Sequence, residues 1–472
     1  MKKLFPLAAL CLLAIPTLAA NHYVRSGASG NGSGSDWTNA CTDFTGSCAV
    51  SSLVRGDTYY VASGRYAARS FNATTSGTSI ITIKGATTSD HGTDTGWQNS
   101  FSVDKNDGGA QAHFGNSISF GSNYWVFDGA VPSAVTNDPT AYGFTVDQPS
   151  NCNSSQSYVG FGSNNSNVTV AHLAAVSCGS AFDVSQDVFQ LGCGACNLSN
   201  IKISHVYSSG HNVALNITNT HDSIFEYVFM ENSWSTPSHH GDTIAVNSYG
   251  TSNAYNNTLR YSVLKDCTGT GGLIALGPGN TVAINNWDIY GNVFYGCGGG
   301  NGSIAAGGDN FTIANTRIYN NTFGKSSRVF HQCNVGAASC PSSGGNVIKN
   351  NVVWNGDPSI EVNGGGAIAH DYNTCISVNS ACPSESHIQS SSDLSGTNTF
   401  LNASSGNFRL KSDTVVATGD PTINSAPYNF DMDGDQRGLD GTWARGAFEF
   451  NLSGVGGNQP PNPPQGLSAI VR

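Results

Sequence analysis

One phrase occurs four times in this chain, as Leu259-Arg-Tyr-Ser262-Val-Leu264, Ile289-Tyr-Gly-Asn292-Val-Phe294, Ile318-Tyr-Asn-Asn321-Thr-Phe323 and Ile348-Lys-Asn-Asn351-Val-Val353. Its leading apolar residues are 30, 29 and 30 positions apart by their numbers. Such a period is typical of repeat proteins, in which each unit buries its apolar face against its neighbours. Gly, Asn, Ser and Thr dominate and the apolar residues alternate, which indicates strands joined by turns. The pattern predicts an all-β solenoid.

A second apolar phrase has the same period half a coil away. Two strand families with one period are expected when every coil stacks on the next. In our alignment, positions 244, 274 and 304 must therefore lie above one another, as must 259, 289, 318 and 348. The central residues of the second phrase are Leu215, Ile244, Ile274, Ile304 and Phe330.

Segments at both ends of the chain carry a resemblance to a known family. They are Gly56-Asp57-Thr-Tyr-Tyr-Val61-Ala-Ser-Gly64-Arg-Tyr66 near the start and residues 407–410, 431–437 and 446–450 near the end. With the repeats, they resemble the opening and closing segments of the pectate-lyase-like superfamily. The resemblance implies the fold: a right-handed single-stranded parallel β-helix with disulfide-bearing loop insertions. It also implies a polysaccharide as partner.

The chain divides into three parts by composition. Residues 1–20 are predicted to be a signal peptide, because Lys2 and Lys3 precede an apolar run that ends in Ala19 and Ala20. Residues 21–450 are expected to form one elongated β-helix, and residues 451–472 a Pro-rich linker with a short tail. We therefore expect a secreted monomer, extracellular, periplasmic or at the cell surface, without a membrane span.

Cysteine usage agrees with secretion. Thirteen cysteines include Cys11 in the signal peptide, which leaves twelve in the mature chain. An even number in an exported protein indicates disulfides, although spacing does not prove their connectivity. Residues at close spacing, or at equivalent places in consecutive coils, are Cys41/Cys48, Cys193/Cys196, Cys333/Cys340, Cys375/Cys382 and Cys267/Cys297.

The charge balance limits the partners. Charged residues are only 11% of the chain, and the net charge of −11 becomes −13 once Lys2 and Lys3 are removed. This balance argues against nucleic acid as a partner. Abundant Asn, Ser, Thr and Tyr suit a neutral polar polymer, while a local basic cluster would still admit an acidic one.

Aligned coils turn sequence positions into columns. Asn292, Asn321 and Asn351 form one column, which we extend through Ser262, Tyr227, His205 and His172 and interpret as structural. One position after each leading apolar residue lies an outward column. We predict it to be a substrate-binding strip, with a covering terminal segment as the alternative. Its residues are Phe225, Arg260, Tyr290, Tyr319 and Lys349.

The second phrase carries small side chains beside its apolar centres. A floor of small residues either leaves an open groove for a polymer or lets an insertion pack down, and we predict the groove. The floor residues are Ala214, Thr243, Ala245, Ala275, Ser303 and Ala305.

Ser238-His-His-Gly-Asp242 enters this floor and is the most acid/base-rich part of the chain. The alignment places His211 in the coil beside His240, and Asp187 two coils from Asp242, about 10 Å away. Turn polarity alone is the competing explanation for the His-His pair. The predicted catalytic residues are His240, Asp242, Lys265, Glu231 and His211, with His239 as a substrate-binding residue.

Three functions remain open. The resemblance favours β-elimination on a uronate polymer, with His240 or Lys265 as base and Arg260 or a metal as neutraliser. However, the Ile274-Ala-Leu276 strand continues into Gly277-Pro278, whereas alginate- and chondroitin-type lyases carry Arg-His there. Glycoside hydrolysis by paired carboxylates is the alternative. A non-catalytic glycan-binding or surface structural protein is the third.

One further motif suggests a cation. Asp431-Met-Asp433-Gly-Asp435 resembles the first half of a calcium loop, but Gln436 and Thr442 occupy the positions of the expected Gly and Glu. The sequence therefore predicts a weak calcium site at these three aspartates, with pairing to Arg437 as the alternative.

Overall fold

A computed structural model describes most of the chain. The described residues are 19–148, 152, 155–179, 183–239, 241–247, 254–267, 271–276, 282–297, 302–306, 312–332, 344–362, 368–390, 394–412, 416–439 and 441–450. The predicted signal peptide up to residue 18 and the predicted linker and tail at 451–472 lie outside them. No helix among the described residues is long and apolar enough to cross a membrane.

Each coil contributes up to three parallel strands, which stack into three faces. Chain order runs from face A to face B to face C and then to the next coil. Face A contains Asn21–Val24, Thr58–Val61, Ile81–Gly85, Trp125–Asp128, Thr258–Arg260, Asp288–Tyr290, Arg317–Tyr319, Val347–Lys349 and Ala369–Asp371. Face B contains Gly64–Tyr66, Ala112–Phe114, Phe144–Val146, Val263–Cys267, Val293–Tyr295, Thr322–Gly324, Val352–Trp354, Thr374–Ile376 and Gln389–Ser390. Three long strands bend from face A into face B: Ser166–Val176, Leu198–Ser209 and Ile224–Ser233.

Face C is a separate ten-stranded parallel sheet. Its strands are Arg69–Phe71, Ile118–Phe120, Gln156–Phe161, Gln186–Leu191, Val213–Thr218, Asp242–Asn247, Gly271–Leu276, Ile304–Ala306, Phe330–Gln332 and Ile360–Val362. Smaller elements are the strands Thr220–His221, Val282–Asn285, Thr312–Ala314, Phe400–Asn402 and Asn407–Leu410, the α-helix Gly396–Thr399, and 3-10 turns at Gly46–Cys48, Val50–Ser52, Asn99–Phe101, Lys105–Asp107, Pro139–Ala141, Ala403–Ser405 and Pro421–Ile423. The predicted all-β parallel β-helix is confirmed.

The predicted register is confirmed on face A and needs one correction on face C. Leu259, Ile289, Ile318 and Ile348 pair in consecutive coils, and all are buried in the core. On face C, Ile244 pairs with Leu273, not with Ile274, and Leu273 pairs with Ile304. Two apolar residues stand side by side at this point, so the sequence pattern alone did not separate them.

Short turns between faces A and B use left-handed backbone. One column of such residues has φ between 50° and 66°, and Asn and Gly tolerate this conformation best. The next position carries the predicted Asn ladder: each amide of Asn292, Asn321 and Asn351 donates to the following coil at 3.0–3.1 Å. His172, His205 and Tyr227 belong to the left-handed column and not to the ladder, a correction by one position. The left-handed residues are His172, His205, Tyr227, Tyr261, Gly291, Asn320 and Asn350.

Five disulfides link described cysteines. Four of them are predicted pairs: Cys41–Cys48, Cys193–Cys196, Cys267–Cys297 and Cys375–Cys382. The fifth is Cys152–Cys178, for which the sequence gave no partner. The predicted Cys333/Cys340 pair lies outside the described residues.

The C-terminal segment folds back over faces A and B. We call residues 394–450 the strap. Phe408 packs so closely on Gly324 that a Cβ there would come within 2.2 Å of its ring. Tyr295 donates to the Ser404 carbonyl at 2.6 Å, and Lys349 pairs with Asp420 at 2.7 Å. The strap therefore covers the outer side of the later coils.

Candidate functional site

Asp187, Val213 and Asp242 occupy the same position in three consecutive coils of face C. Neighbouring strands are about 4.8 Å apart, so the two aspartates are about 10 Å apart along the axis. The structure thus reproduces the predicted two-coil separation.

The side chain of Asp242 points away from the core. Thr243, the next residue, donates its hydroxyl to Ser233 in the interior. A Cβ on Gly272, which is level with Thr243, would lie 3.1 Å from the core ring of Phe294. Because successive side chains on a strand alternate, Asp242 lies on the outer side of face C.

Asp187 lies on the same outer side. It accepts a 3.0 Å hydrogen bond from the amide of Asn216. Asn216 points outward, because its neighbours Leu215 and Ile217 are both core residues. Ser185 adds a second hydrogen bond to Asp187, at 3.2 Å. The column therefore presents oriented carboxyl groups outside the β-helix core.

Both carboxyl groups are nevertheless shielded from solvent. Asp187 is 7% exposed and Asp242 is 0% exposed. Burial raises the pKa of Asp242 to about 7. Burial also raises the pKa of Asp187, against the hydrogen bonds from Asn216 and Ser185. Carboxyl groups with raised pKa values act as proton donors near neutral pH.

His239 is the predicted residue that the structure brings to this site. Its Nδ1 lies 3.4 Å from Oδ1 of Asp183, and Ser238 donates to the other carboxylate oxygen at 2.8 Å. Its side chain is one-third exposed. The charge of His239 lowers the pKa of Asp187, so the ring lies within electrostatic reach of that carboxyl group. His240 lies outside the described residues.

Asp183 and Asn216 are site residues that the sequence interpretation missed. Asn216 follows Leu215, a predicted strand centre, so strict alternation would have placed it on the outer side. Asp183 lies in an irregular segment before the strand Gln186–Leu191, and it contacts a histidine more than fifty positions away. No local pattern marks such a contact.

Glu231 and Lys265 lie on face B, where they contact each other. The ammonium group of Lys265 is 3.1 Å from Glu231 and 3.1 Å from Asp266. Tyr207, which the sequence did not single out, donates to Glu231 at 2.8 Å. These carboxylates raise the pKa of Lys265 against its partial burial, so it remains a cation and is a poor base. The contacts between described residues do not join this cluster to Asp242.

His211 is fully buried, and burial lowers its pKa to about 3. Neither ring nitrogen has a hydrogen-bond partner among the described residues. Its ring is therefore neutral and cannot contact a polymer, which argues for a structural role and against the predicted catalytic one.

The predicted substrate-binding strip is not exposed. Tyr290 and Tyr319 are 1% and 7% exposed because Tyr428 of the strap packs edge-on against both rings. Lys349 is held by Asp420, also in the strap. The alternative of a covering terminal segment is the one that the structure shows.

The strip also needs a correction of register. Phe225 pairs with Leu259 and is a core residue, so Glu226 takes the outward position beside Arg260. Arg260 donates to Glu226 at 2.7 Å and to the Tyr290 hydroxyl at 2.9 Å. Its guanidinium is therefore engaged and does not serve as the predicted neutraliser.

The predicted groove floor is closed at its described positions. Thr243 points into the core, and the outward-facing Ala245 and Ala305 are 2% and 0% exposed. Ala214 and Ser303 are likewise buried. The side chain of Ala275 is outside the described residues. An open floor of small residues is therefore wrong for this face.

The aspartates of the calcium-like loop face protein donors. Both oxygens of Asp431 accept backbone N–H groups, from Asp433, Asp435 and Glu449 at 2.8–2.9 Å. Asp433 pairs with Arg409 at 2.5 and 2.6 Å. Within the described part of the chain, no group of three His, Cys, Asp or Glu residues is arranged to hold a metal ion. Loop closure by an arginine, though not Arg437, accounts for these contacts.

The fold and the site define the class of protein: an all-β parallel β-helix with buried acidic groups on the outside of one face. Solved structures similar to this chain include pectate lyase Pel9A, at 14% identity, with 92% of this chain and 97% of that chain covered and a TM-score of 0.41. A PL6 family alginate lyase, AlyGC, is similar at 12% identity, with 71% and 51% covered and a TM-score of 0.29. A mutant of that alginate lyase gives 11%, 72% and 51%, and 0.33. No family model and no curated protein matches the sequence.

Proposed function

We propose that the protein is a secreted enzyme that cleaves a uronate-containing polysaccharide by β-elimination on the outer side of face C. The observation that carries the proposal is a histidine, held by a carboxylate, within electrostatic reach of a buried carboxyl group. β-Elimination needs a base for the proton at C5 and a cation or neutral donor against the uronate carboxylate. His239 and Asp187 supply these two kinds of group.

His239 is the base. Asp183 accepts from Nδ1, which leaves Nε2 with the lone pair that removes the proton. The 3.4 Å separation is long for a hydrogen bond, and such contacts commonly tighten when substrate binds. Asp183 is thus a positioning residue that fixes the tautomer of His239.

Asp187 is the neutral donor. Because burial raises its pKa, its protonated form can donate a hydrogen bond to the uronate carboxylate and stabilise the charge that develops there. Asn216 and Ser185 orient it. In the reaction, the C5–H bond breaks, the C4–C5 double bond forms and the C4–O4 bond breaks. The proton passes to His239 and then to the leaving oxygen or to water.

Glycoside hydrolysis is the second candidate, because Asp187 and Asp242 stand two coils apart. Inverting hydrolases separate their two carboxyl groups by about 6.5–9.5 Å, close to the spacing of about 10 Å along the axis. Burial raises the pKa of both groups. This suits the general acid but disfavours the ionised base, so elimination ranks first.

The test is a polysaccharide panel that includes uronate polymers and neutral glucans. Elimination produces both new reducing ends and the ultraviolet absorbance of an unsaturated uronate, whereas hydrolysis produces reducing ends alone. Absence of both products with measurable glycan retention would overturn catalysis and leave a binding protein.

Variants then test the assigned roles. We expect His239→Ala to lower kcat at least 100-fold without changing the melting temperature, because removal of a general base typically costs 10²–10⁴-fold. His387→Ala is the matched control, since His387 forms a similar exposed pair with Asp371 at 2.9 Å. Equal activity of both variants would rule out His239 as the base.

A further inference from the structure

Three ionisable residues from three coils meet on the outer side of face B. Arg65 and His113 pair in consecutive coils, and His113 pairs with Thr145 in the next. Asp147 follows two positions after Thr145 and therefore points the same way. None of these residues belongs to the site on face C.

Asp147 is held from both sides. Its Oδ2 lies 2.6 Å from a terminal nitrogen of Arg65, and its Oδ1 lies 2.8 Å from Nδ1 of His113. The Arg65 side chain is 74% exposed. A guanidinium carries five N–H donors in a fixed fork, so the contact with Asp147 leaves donors available to a ligand.

A cavity of about 380 Å³ opens beside this pair. That volume falls within the usual range for small-ligand sites. Val176, which is 36% exposed, adds an apolar surface, and the amide of Gln148 is fixed by a 2.8 Å hydrogen bond to the Ser177 carbonyl. The cavity is lined by Arg65, Thr145, Val146, Asp147, Gln148 and Val176.

We propose that this Arg65–Asp147 pocket binds a carboxylate-bearing sugar unit of a glycan, at a site separate from face C. Arg65 offers paired N–H donors that match a carboxylate. Asp147 accepts sugar hydroxyl groups, and Val176 contacts the apolar side of the ring. His113 does not line the cavity and acts as a positioning residue for Asp147. The inference stands independently of the elimination reaction.

Calorimetric titration with galacturonate tests the pocket, with galactose as the probe that lacks only the carboxylate. We expect galacturonate to bind at least tenfold more tightly than galactose, and Arg65→Gln to abolish that preference. Arg409→Gln is the matched control, because Arg409 forms a comparable exposed pair with Asp433 in the strap. Equal binding of both sugars, no binding of either, or a preference that survives in Arg65→Gln would overturn the proposal.

A second variant separates this pocket from the elimination site. In His239→Ala we expect the galacturonate preference to remain, because His239 contributes no atom to the pocket. Loss of the preference in that variant would mean that the titration reports face C, and the pocket would be rejected. Failure to detect elimination would leave this result unchanged, so the two proposals fail separately. His113→Gln should weaken galacturonate binding less than Arg65→Gln does, because the pocket keeps its guanidinium; an equal loss would assign His113 a direct contact.

Discussion

Two buried carboxyl groups on the outside of the β-helix, Glu226 on face A and Asp242 on face C, behave in opposite ways. They are 4% and 0% exposed. Burial alone would raise both pKa values. At Glu226, Arg260 and Lys202 outweigh burial and lower the pKa. At Asp242, burial raises the pKa to about 7. Burial therefore has a different meaning on the two faces.

The difference separates structural from chemical uses of the same residue type. Glu226 is part of a charge network that extends to Tyr290 and ends under the strap. Its ionisation is fixed, so it contributes to stability and does not exchange protons near neutral pH. Asp242 and Asp187 are held near protonation, which costs stability at neutral pH and is typical of functional sites.

Removal of Arg260 should break this contrast with the largest effect. Arg260→Met leaves Glu226 buried with Lys202 as its remaining cation, and breaking a buried pair costs about 3–5 kcal/mol. We expect a loss of that order in the free energy of unfolding, measured by urea denaturation at pH 7. We also expect the pKa of Glu226 to rise, as that of Asp242 does.

The double variant Arg260→Met/Glu226→Gln is the control for this prediction. It removes both charges, so most of the lost stability should return. If Arg260→Met costs less than about 1 kcal/mol, within the range for exposed pairs, the network is not a stabilising one.

Asp242→Asn should act in the opposite direction. The folded-state pKa of about 7 lies above the ordinary 3.8, so the folded wild type binds the proton more tightly than the unfolded chain. Its stability is greatest below pH 4 and falls as pH rises towards 7. Asparagine does not ionise, so the variant should be more stable than wild type at pH 8, by at most about 4 kcal/mol.

Unfolding measured between pH 4 and pH 8 checks this sign. Glu226→Gln is the matched comparison and should destabilise the protein at pH 8. A wild type whose stability rises over this interval relative to Asp242→Asn would mean that Asp242 is ionised in the folded protein. The functional interpretation of face C would then lose its basis.

The repeat pattern was sufficient to predict the stacked columns but not every residue in them. Alternation failed at Leu273 because Thr243 and Ile244, consecutive residues of the preceding coil, both face the interior. A count of every second position therefore slips by one in the next coil. The error at Phe225 has a similar origin, since 34 residues separate Phe225 from Leu259 and the repeats elsewhere have 29 or 30.

The site was harder to predict because long-range contacts decide which outer columns remain accessible. The sequence places Tyr290 and Tyr319 on an outward column, which is correct, but Tyr428 covers them from 138 and 109 positions away by number. Periodicity relates neighbouring coils and says nothing about a strap that returns over them. On face C it found Asp187, His239 and Asp242, because their strands belong to the repeat.

The smallest predicted effect concerns the strap. Tyr428→Phe removes one hydrogen bond, from the hydroxyl to Asp288 at 2.9 Å, and retains the ring contacts. Asp288 keeps its ion pair with Arg317. We expect a loss of about 1–2 kcal/mol in the free energy of unfolding, because the acceptor is charged.

Tyr428→Ala extends this test to the covered strip. It removes the ring that packs edge-on against Tyr290 and Tyr319, so both tyrosines should become accessible to a small fluorescence quencher while the β-helix remains folded. If glycan retention then increases, the outward aromatic column is a sugar-binding surface that the strap keeps covered. If retention is unchanged although both rings are exposed, the column serves only to anchor the strap, as the charge network around Glu226 and Arg260 indicates. The contrast between a stabilising face A and a chemically active face C would then be complete.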